Sequence, residues 1–472
     1  MMDTMLIDKG ISFKELEQNI YAIACGWARD HTRQFLEAYD VYLSEHRDKK
    51  AYRNKGLRNT VVKTVFGEVE YQRRIYQTVR DDGSIAYVYL LDEELTISGV
   101  GKISQNMAQQ LVNSITDMSY RDCAKHISEN TGQAISPMGV WNVVQALGEK
   151  ICEEEAELVE AHKTGKIKGE VVAPVLFEEV DGVYLNLQRE GTRKAEMKVG
   201  IAYDGWRDHG NGRYSLNDKV TVAGFSSVSE FKAYKDAAIS EKYNVDEIRM
   251  RVLGGDGAGW IRKSCAEDAV FQLDPFHRNK AIRECIPYAE AREEVYGYLN
   301  RRDIEGMFSW LHTYQDSLSE DEEIRKAEQL IKYFEENTDG LIPWMDRGLD
   351  IPDGQKDLIY RGMGTMENHI WSIIARRMKH NHASWSIKGG NNLAKILAKK
   401  GSERLDEVAD RLKTGRFDRS ITEEIEYNIL SAGKVPGHEG TGYNYPVMGS
   451  IPVSYGSIGS VSRGFWNTIK GI

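Results

Sequence analysis

The sequence predicts a multidomain α/β protein whose central mixed sheet carries helices on its faces. Three apolar, β-branched runs follow one another as "VVAPVLFEEVDGVYLNLQ", "AEMKVGIAYDGW" and "DKVTVAGFSS", separated by turn-rich segments. Two further runs, "IRMRVLGGD" and "AVFQLD", each lead into a helical segment. Consecutive strands followed by strand–helix alternation are typical of a mixed sheet covered by helices.

Chain length and local patterns indicate several domains. A chain of 472 residues exceeds one ordinary domain, and about two to four are expected. The run "NTVVKTVFGEVEYQRRIYQTV" alternates and breaks at Gly67, which predicts a β-hairpin. The predicted regions are 1–95 (helical, then hairpin), 96–165 (helical), 166–285 with 353–430 (α/β), 286–352 (an all-helical insertion with apolar residues at helical spacing) and 431–472 (a Gly/Tyr-rich tail).

Composition limits the class of protein. Hydrophobic residues make up 41% of the chain and charged residues 28%, as in ordinary soluble globular proteins. No apolar run reaches the roughly 18–20 residues of a membrane span, and the first residues do not resemble a secretory signal. The five cysteines are scattered without a CxxC pair. Common zinc modules and a disulfide framework are therefore not expected. A cytoplasmic location is expected instead.

The distribution of charge favours an anionic partner more than the total does. The formal net charge is −10, which by itself argues mildly against nucleic acid. However, residues 47–80 contain ten Lys/Arg against three Asp/Glu, and residues 361–388 contain five against one. Solvated basic faces without any partner remain an equal alternative on charge alone.

The stretch "DMSYRDCAKHISENTGQAISPMGVWNVVQALGEK" predicts a helix-turn-helix. Ser136 is a good N-cap, and Pro137 fits the first position of the second helix. The exposed side of that helix would offer Asn142 and Gln145 to a DNA groove. A helical hairpin that only packs against the rest of the protein would produce the same pattern, so both interpretations stay open.

The glycine-rich stretch "RVLGGDGAGWIRKS" first suggests a phosphate-binding loop. A dinucleotide fingerprint needs a third small residue where Trp260 stands, and a P-loop needs a lysine at the same place. Both interpretations fail at that residue. What remains is Asp256 at the end of a buried strand, with glycines on both sides that give a bulky ligand access. A tight turn in which Asp256 only bonds to the local backbone is the alternative.

Two other carboxylates belong with Asp256. Asp181 lies in an otherwise apolar strand, where a carboxylate is costly unless it is paired or bound to a metal; a hairpin turn at Asp-Gly is the alternative. Glu367 is aligned at helical spacing with the apolar residues of "MENHIWSIIARRM", with a structural salt bridge as the alternative. Two aspartates on strands and a glutamate on a later helix occur in this order in an RNase H-like fold. There such acids hold two divalent ions for in-line displacement at phosphorus.

Several motifs together resemble those of the ISLre-type insertion-sequence transposases, which are bacterial DDE enzymes. The matching segments are "TVFGEVEYQRR", "EEVDGVYLNLQ", "LGGDGAGWIR", "FQLDPFHRNKAI" and "GTMENHIWSIIARRMKHNHASWSIKGGNNLAKIL", which together extend over nearly the whole chain. The resemblance implies an RNase H-like catalytic domain interrupted by the helical insertion. It also implies that Asp181, Asp256 and Glu367 bind two Mg²⁺ or Mn²⁺ ions.

The resemblance further implies auxiliary and DNA-contacting residues. Within "DPFH", Asp274 and His277 would assist in positioning DNA, although Asp274 is an equally good helix cap before Pro275. The residues expected to contact DNA phosphates are Arg376, Arg377, Lys379 and Lys388. Trp385 would be available to stack on an unpaired base. General surface solubility is the alternative for each of these residues.

These observations predict a DNA transposase that cleaves phosphodiester bonds at element ends and transfers the freed 3′-hydroxyl to target DNA. Residues 1–95 would bind the DNA ends, double-stranded DNA would be the partner, and the family suggests a homo-oligomer. One alternative is a non-catalytic DNA-binding protein such as a repressor. Another is a glycoside hydrolase that uses Glu178 or Glu179 with Asp181. A nucleotide-binding enzyme built on the glycine loop is the weakest alternative.

Overall fold

The computed structural model describes residues 11–95, 103–131, 134–380, 382–411 and 417–432. The predicted Gly/Tyr-rich tail lies outside the described residues from position 433 onward. In the described part of the chain, no helix has both the length and the apolar character that crossing a bilayer requires.

The N-terminal region is a long helix packed on a small antiparallel sheet. Helix α1 begins after a capping box in which Ser12 and Glu15 bond to each other's backbone N–H groups. The elements are α1 (Phe13–His46), β1 (Arg53–Thr64), β2 (Gly67–Val79), β3 (Ile85–Val88) and α2 (Leu90–Leu95). Strands β1 and β2 pair antiparallel around the turn at Gly67, so the predicted hairpin is confirmed.

Three helices follow before the main sheet: α3 (Gln105–Ile115), α4 (Tyr120–Thr131) and α5 (Pro137–Lys163). The start of α5 is the predicted one, because Ser136 accepts a hydrogen bond from the Gly139 N–H and Pro137 occupies the first turn. Helix α5 is far longer than a recognition helix requires, and one face of it is buried along most of its length.

The central sheet has five strands in the spatial order β10-β9-β4-β5-β8. These strands are β4 (Val175–Asn186), β5 (Lys194–Tyr203), β8 (Val220–Gly224), β9 (Met250–Gly255) and β10 (Val270–Leu273). Strands β4, β5 and β8 are antiparallel neighbours, whereas β9 and β10 run parallel to β4. The predicted mixed sheet is therefore confirmed. A separate two-stranded ribbon consists of β6 (Trp206–Asp208) and β7 (Tyr214–Leu216).

Helices cover both faces of this sheet. Those that follow β8 up to the end of the insertion are α6 (Val228–Lys242), α7 (Gly259–Lys263), α8 (Pro275–Cys285), α9 (Ala289–Arg301), α10 (Ile304–Ser317), α11 (Asp321–Glu336) and α12 (Thr338–Leu341). The later ones are α13 (Met366–His369), a π-helical segment (Ile370–Ala375), α14 (Arg376–Met378), α15 (Ile387–Gly401), α16 (Asp406–Asp410) and α17 (Arg419–Ala432).

Side chains alternate along β4 between two hydrophobic cores, as the pleat of a strand requires. Phe177 and Val183 belong to the core formed with α3, α4, α5, α15 and the π-helical segment. Val180 belongs to the other core, which includes α6, α7 and helices α8 to α11. The helical insertion is thus continuous with the core on one face of the sheet. Strand β4 therefore contributes side chains to both hydrophobic cores of the α/β domain.

Candidate functional site: a carboxylate cluster at the sheet edge

Two of the predicted acidic residues, Asp181 and Asp256, lie where β4 and β9 run side by side. The parallel register pairs Glu179 with Gly254, and extending it by two residues brings Asp181 level with Asp256. Asp181 is buried within β4, and Asp256 follows directly after the last residue of β9. The carboxylates of neighbouring parallel strands thus lie at one edge of the sheet, as the sequence led us to expect.

Helices α8 and α13 bring a histidine and a glutamate to the same edge. One ligand atom from each of Asp181, His277 and Glu367 lies within 4.8 Å of the other two. Asp181 is buried, His277 is partly buried and Glu367 is exposed, so the group opens to solvent on one side. Two carboxylates and an imidazole, with Asp256 adjacent, form a donor set suited to Mn²⁺, and the carboxylates alone suit Mg²⁺.

Burial and neighbouring acids disfavour the ionised forms of Asp181 and Asp274 at this edge. Burial raises the pKa of Asp181 to about 6, and the nearby carboxylates of Asp256 and Asp274 contribute to the increase. The Gly182 N–H, which donates to Asp181 Oδ1, and His277 oppose it. Burial likewise raises the pKa of Asp274. Carboxylates gathered in a poorly solvated place repel one another, and a divalent ion would relieve that repulsion.

Asp274 has the capping role that the sequence left open. Its Oδ1 accepts a hydrogen bond of 2.6 Å from the Phe276 N–H at the start of α8. Its Oδ2 lies 4.0 Å from Nδ1 of His277, and that ring nitrogen is buried without a hydrogen-bond partner. Asp274 therefore fixes the helix start that presents His277 to the cluster. Whether Asp274 and His277 also assist in positioning DNA stays a prediction.

The start of α13 is fixed by Glu179, a role that sequence reasoning missed. Glu179 is buried, and its Oε2 accepts hydrogen bonds from the backbone N–H groups of Gly364 (3.1 Å), Thr365 (2.8 Å) and Met366 (3.1 Å). Its Oε1 accepts from the hydroxyls of Thr365 (2.7 Å) and Tyr203 (2.6 Å). A carboxylate at a helix N-terminus satisfies amides that lack partners within the helix. The two-residue spacing of Glu179 and Asp181, which places both on one face of β4, is the sequence signal that could have indicated a shared site.

Glu178 points to the opposite face of β4 and belongs to a buried ion-pair cluster. It pairs with Lys235, and its Oε1 lies 2.9 Å from Nη1 of Arg251. Burial opposes ionisation of Glu178, but the two cations outweigh it and hold its pKa at about 2. Neither Glu178 nor Glu179 is thus available beside Asp181 as the second acid of a glycoside hydrolase, because other groups occupy both carboxylates.

The glycines on either side of Asp256 are required by packing, so the expectation that they leave room for a bulky ligand is wrong. A Cβ on Gly255 would come within 2.6 Å of Ile261, and one on Gly257 within 2.5 Å of Asn337. Gly257 also has a φ of +91°, a conformation that glycine adopts without strain. From α11 of the insertion, the Tyr333 hydroxyl donates a 2.7 Å hydrogen bond to the carbonyl of Asp256. The loop is thus held by the insertion and packed tightly around Asp256.

Helix register around Glu367 differs from the prediction. Glu367 and Trp371 were expected in line with the buried stripe, but both are exposed. The buried residues of this segment are Met366, Ile370, Ile373, Ile374, Ala375 and Met378. A π-helical segment with i→i+5 hydrogen bonds begins at Ile370 and changes the periodicity. The expected alignment was therefore wrong, and Glu367 instead lies at the surface, with a carboxylate oxygen within 4.8 Å of a ligand atom of Asp181.

Two residues expected to be exposed to DNA are buried. Gln145 is 6% exposed and accepts a 2.8 Å hydrogen bond from Asn392 of α15, so its predicted outward position is wrong. Trp385 is 7% exposed and donates from Nε1 to the carbonyl of Met378, so it is not free to stack on a base. Helix α5 packs so closely on α15 that a Cβ on Gly148 would lie 2.4 Å from Asn392. This packing buries the face to which Gln145 belongs.

The other DNA-contact candidates are at the surface or line a cleft. Asn142 and Lys379 are exposed. Lys388 pairs with Glu149 at 2.7 Å, and Arg376 pairs with Asp117. Arg377 is partly buried, and its Nε donates to the Ile115 carbonyl at 2.8 Å. Their contact with DNA stays a prediction.

Fold and site define an α/β protein with an acidic and histidine cluster at the edge of a mixed sheet. The chain belongs to an uncharacterised protein family, UPF0236, whose model matches residues 6–409.

Three relatives from Caldanaerobacter subterraneus subsp. tengcongensis are similar over most of their length. One, whose name combines eleven designations from TTE0033 to TTE2212, is 26% identical over 459 residues, 91% of each chain. UPF0236 protein TTE2489 is 26% identical over 409 residues, 84% of this chain and 81% of that protein. UPF0236 protein TTE0610/TTE0881/TTE1053/TTE2432 is 26% identical over 409 residues, 84% of this chain and 80% of that protein. These names state no activity.

Proposed function

We propose that this protein is a DNA transposase of the DDE class, similar to the ISLre-type enzymes. The observation that carries the proposal is the meeting of Asp181, His277 and Glu367 within 4.8 Å, with Asp256 level with Asp181 at the end of the neighbouring strand. These residues are far apart in sequence, and three different elements and a strand-end loop deliver them. Separate elements that supply convergent, poorly solvated carboxylates are a feature of functional sites more often than of structural ones.

The order of the strands supports an RNase H-like catalytic domain. If the five strands are numbered by their order in the chain, they follow one another across the sheet as 3-2-1-4-5. The first three are antiparallel, and the last two are parallel to the first. An RNase H-like sheet is expected to have this order, with one aspartate on the first strand and another after the fourth. Asp181 and Asp256 occupy those two positions.

In the proposed mechanism, some of the site residues bind ions and others hold the ion-binding residues in position. Asp181, Asp256 and Glu367 would hold two divalent ions, with His277 available as a further ligand. Bound there, such ions supply charge stabilisation for both the attacking and the leaving oxygen of an in-line displacement. Glu179 keeps the helix of Glu367 in place, and Tyr333 keeps the loop of Asp256 in place. Both acids are thereby positioned before substrate binds, which lowers the cost of organising the site.

Two successive displacements would make up the reaction. In the first, a water oxygen bonds to the phosphorus at the element end, and the bond from phosphorus to the 3′ oxygen breaks. The released 3′-hydroxyl then forms the new bond to a phosphorus of target DNA, whose own 3′ oxygen leaves. One phosphodiester bond is formed for each one broken in the second step, so no external energy source is needed.

The names of the relatives fit a mobile element. One relative carries eleven TTE designations under a single protein name, and another carries four. Several designations under one name are what copies of one gene within one genome would produce. An insertion sequence multiplies its own transposase gene in this way.

Exposed cations in the N-terminal sheet are suited to binding the DNA ends. Arg53, Lys55 and Arg58 are exposed along β1, near the start of the basic stretch 47–80. At the start of α5, Asn142 and Trp141 are exposed in a segment that resembles a helix-turn-helix. Because Gln145 is buried, base contacts from α5 would come from its first turns only. Phosphate contacts would supply most of the affinity and make it dependent on salt.

A test of the proposal uses a plasmid that carries the gene's own flanking DNA. Purified protein is incubated with it in Mg²⁺ or Mn²⁺, and strand breaks are mapped to the nucleotide for wild type, Asp256→Asn and the surface control Asp353→Asn. Breaks at a fixed flanking position that disappear only in Asp256→Asn are expected. Footprinting at that position without breaks would contradict the proposal and favour a repressor.

A further inference from the structure

A cleft separate from the carboxylate cluster lies at the far end of the helical run that carries Glu367. It has a volume of about 470 Å³ and lies between the first turns of α4 and α5 and the residues around α14. Among its lining residues are Tyr120, Trp141, Arg377, His380 and Trp385. Arg377 is ten residues beyond Glu367, which corresponds to about 15 Å along a helix axis.

Two hydrogen-bond donors in this cleft lack acceptors. The Tyr120 hydroxyl and Nη2 of Arg377 are both buried and have no partner among the described residues. Arg377 cannot easily turn away, because its Nε bonds to the Ile115 carbonyl and its guanidinium lies over the rings of Tyr120 and Trp385. Buried polar groups are nearly always satisfied, and a fixed charged donor is the costliest exception. Two residues that line the cleft thus each carry a buried donor without an acceptor among the described residues.

Two carboxylates, Asp117 and Asp122, also line the cleft, and both have partners other than Arg377. Asp117 pairs with Arg376 and with Lys400 at 2.7 Å. Asp122 accepts a 2.7 Å hydrogen bond from the Ser119 hydroxyl before α4. Within the described chain, no carboxylate oxygen lies at ion-pair distance from Arg377. The unpaired guanidinium therefore favours an anion from outside the chain.

An aromatic surface borders the same cleft. Trp141 is 40% exposed, in contrast to the buried Trp385. An exposed indole and a fixed guanidinium that line the same cleft suit a ligand that combines an oxyanion with a flat ring.

We propose that this cleft binds a nucleotide, with its phosphate accepting hydrogen bonds from Arg377 and Tyr120 and its base lying against Trp141. In the context of the proposed function, on which this assignment rests, the nucleotide belongs to a DNA strand that continues from the carboxylate cluster. A free nucleotide offers the same chemistry, so the experiment includes both sources.

The test measures binding of a fluorescein-labelled hexathymidylate by anisotropy in EDTA, so that no divalent ion is needed. Unlabelled hexathymidylate, thymidine monophosphate and inorganic phosphate serve as competitors. Tyr120→Phe removes only the unpaired hydroxyl and should weaken binding about tenfold, whereas Arg377→Gln should weaken it more. Tyr314→Phe is the matched control, because the Tyr314 hydroxyl is also buried without a partner but lies in α10 of the insertion. It should change binding less than about twofold.

The binding measurements decide whether the cleft binds a nucleotide. Equal binding by wild type and Tyr120→Phe, or no binding by wild type, would overturn the proposal. Competition by thymidine monophosphate as strong as by the oligonucleotide supports the cleft and identifies a free nucleotide as its ligand. A thermal melt distinguishes a role of Tyr120 in binding from a role in stability. Because the Tyr120 hydroxyl has no partner, Tyr120→Phe should not lower Tm. Because binding is measured in EDTA, where no cleavage occurs, failure of the cleft and failure of the cleavage reaction are distinguishable.

Discussion

Glu179 Oε2 accepts a 2.8 Å hydrogen bond from the backbone N–H of Thr365 and thereby joins the central strand to the helix that carries Glu367. Asp181 lies two residues further along the same strand face. One strand thus both supplies an acid and fixes the position of another acid that is 186 residues away in sequence, at Glu367. The geometry of the cluster depends on this connection.

Glu179→Gln is expected to loosen the cluster. An amide in place of the carboxylate removes the negative charge. It also replaces one acceptor oxygen by an NH₂ group, which cannot accept hydrogen bonds from the surrounding N–H and O–H groups. Loss of these charge-assisted hydrogen bonds should cost about 3 kcal/mol of unfolding free energy, as measured by urea denaturation. Mn²⁺ affinity, measured by calorimetry, should fall at least tenfold because Glu367 is no longer held.

Glu190→Gln provides the control for that change. Glu190 also accepts a backbone N–H at a helix start, from Ile387 at 2.8 Å, but it is exposed. Its substitution should leave Mn²⁺ affinity unchanged. Equal losses in both variants would mean that Glu179 is an ordinary helix cap with no particular effect on the cluster.

Divalent ions should stabilise the wild-type protein and have little effect on Asp181→Asn. An ion that binds only the folded state raises stability in proportion to the logarithm of its concentration above Kd. We expect Tm, followed by circular dichroism, to rise with Mn²⁺ for wild type and stay constant for Asp181→Asn. A similar rise for both proteins would show that the ions bind elsewhere.

Glu178→Gln is expected to destabilise the protein in a pH-dependent way. Removing one partner of a buried ion pair leaves Lys235 and Arg251 uncompensated, at a cost of about 3–5 kcal/mol at pH 7. The folded pKa of Glu178 is about 2, below its ordinary value of 4.5. Its contribution is therefore present above pH 4.5 and is lost as the pH falls toward 2.

Urea denaturation at several pH values tests this expectation. The difference between wild type and Glu178→Gln should shrink steadily between pH 4.5 and pH 2. Glu160→Gln is the control, because Glu160 forms an exposed pair with Lys163 and such pairs contribute less than about 1 kcal/mol. A difference that does not change with pH would mean that Glu178 stabilises by packing alone.

Gly257→Ala should damage the loop of Asp256, whereas Gly259→Ala should not. Alanine at 257 would adopt a φ of +91° and displace Asn337, which should cost about 2 kcal/mol. Gly259 has open space around its Cβ position and lies in α7, so alanine there should be neutral or slightly stabilising. Thermal melts and DNA cleavage rates measure both effects. Equal behaviour of the two variants would contradict the importance of the glycine at 257.

Much of the architecture could be predicted from the sequence because the spacing of apolar residues and the local composition are properties of short segments. All five strands of the mixed sheet were predicted from apolar runs bounded by turn residues. The start of α5 was predicted from the Ser-Pro cap alone. Asp181 and Asp256 were found because carboxylates in apolar strands are rare and need an explanation.

What the sequence did not indicate depends on contacts between distant segments. The burial of Gln145 and Trp385 follows from the packing of α5, α15 and β4, which no single segment encodes. The π-helical segment after Glu367 changes the side-chain periodicity, and a 3.6-residue repeat cannot predict it. The capping role of Glu179, which the sequence offered only as one possible acid of a glycoside hydrolase, was missed because its backbone partners at Thr365 and Met366 are far away in sequence.

In the proposed mechanism, the carboxylate cluster would hold divalent ions against the scissile phosphate. The most direct measurement is the rate of strand cleavage on DNA in which sulfur replaces one non-bridging oxygen of that phosphate. Because Mg²⁺ prefers oxygen ligands and Mn²⁺ accepts softer ones, sulfur should slow cleavage at least tenfold in Mg²⁺, and Mn²⁺ should restore the rate. Equal slowing in both metals, or no slowing in either, would contradict direct contact between the bound ions and the reacting phosphate.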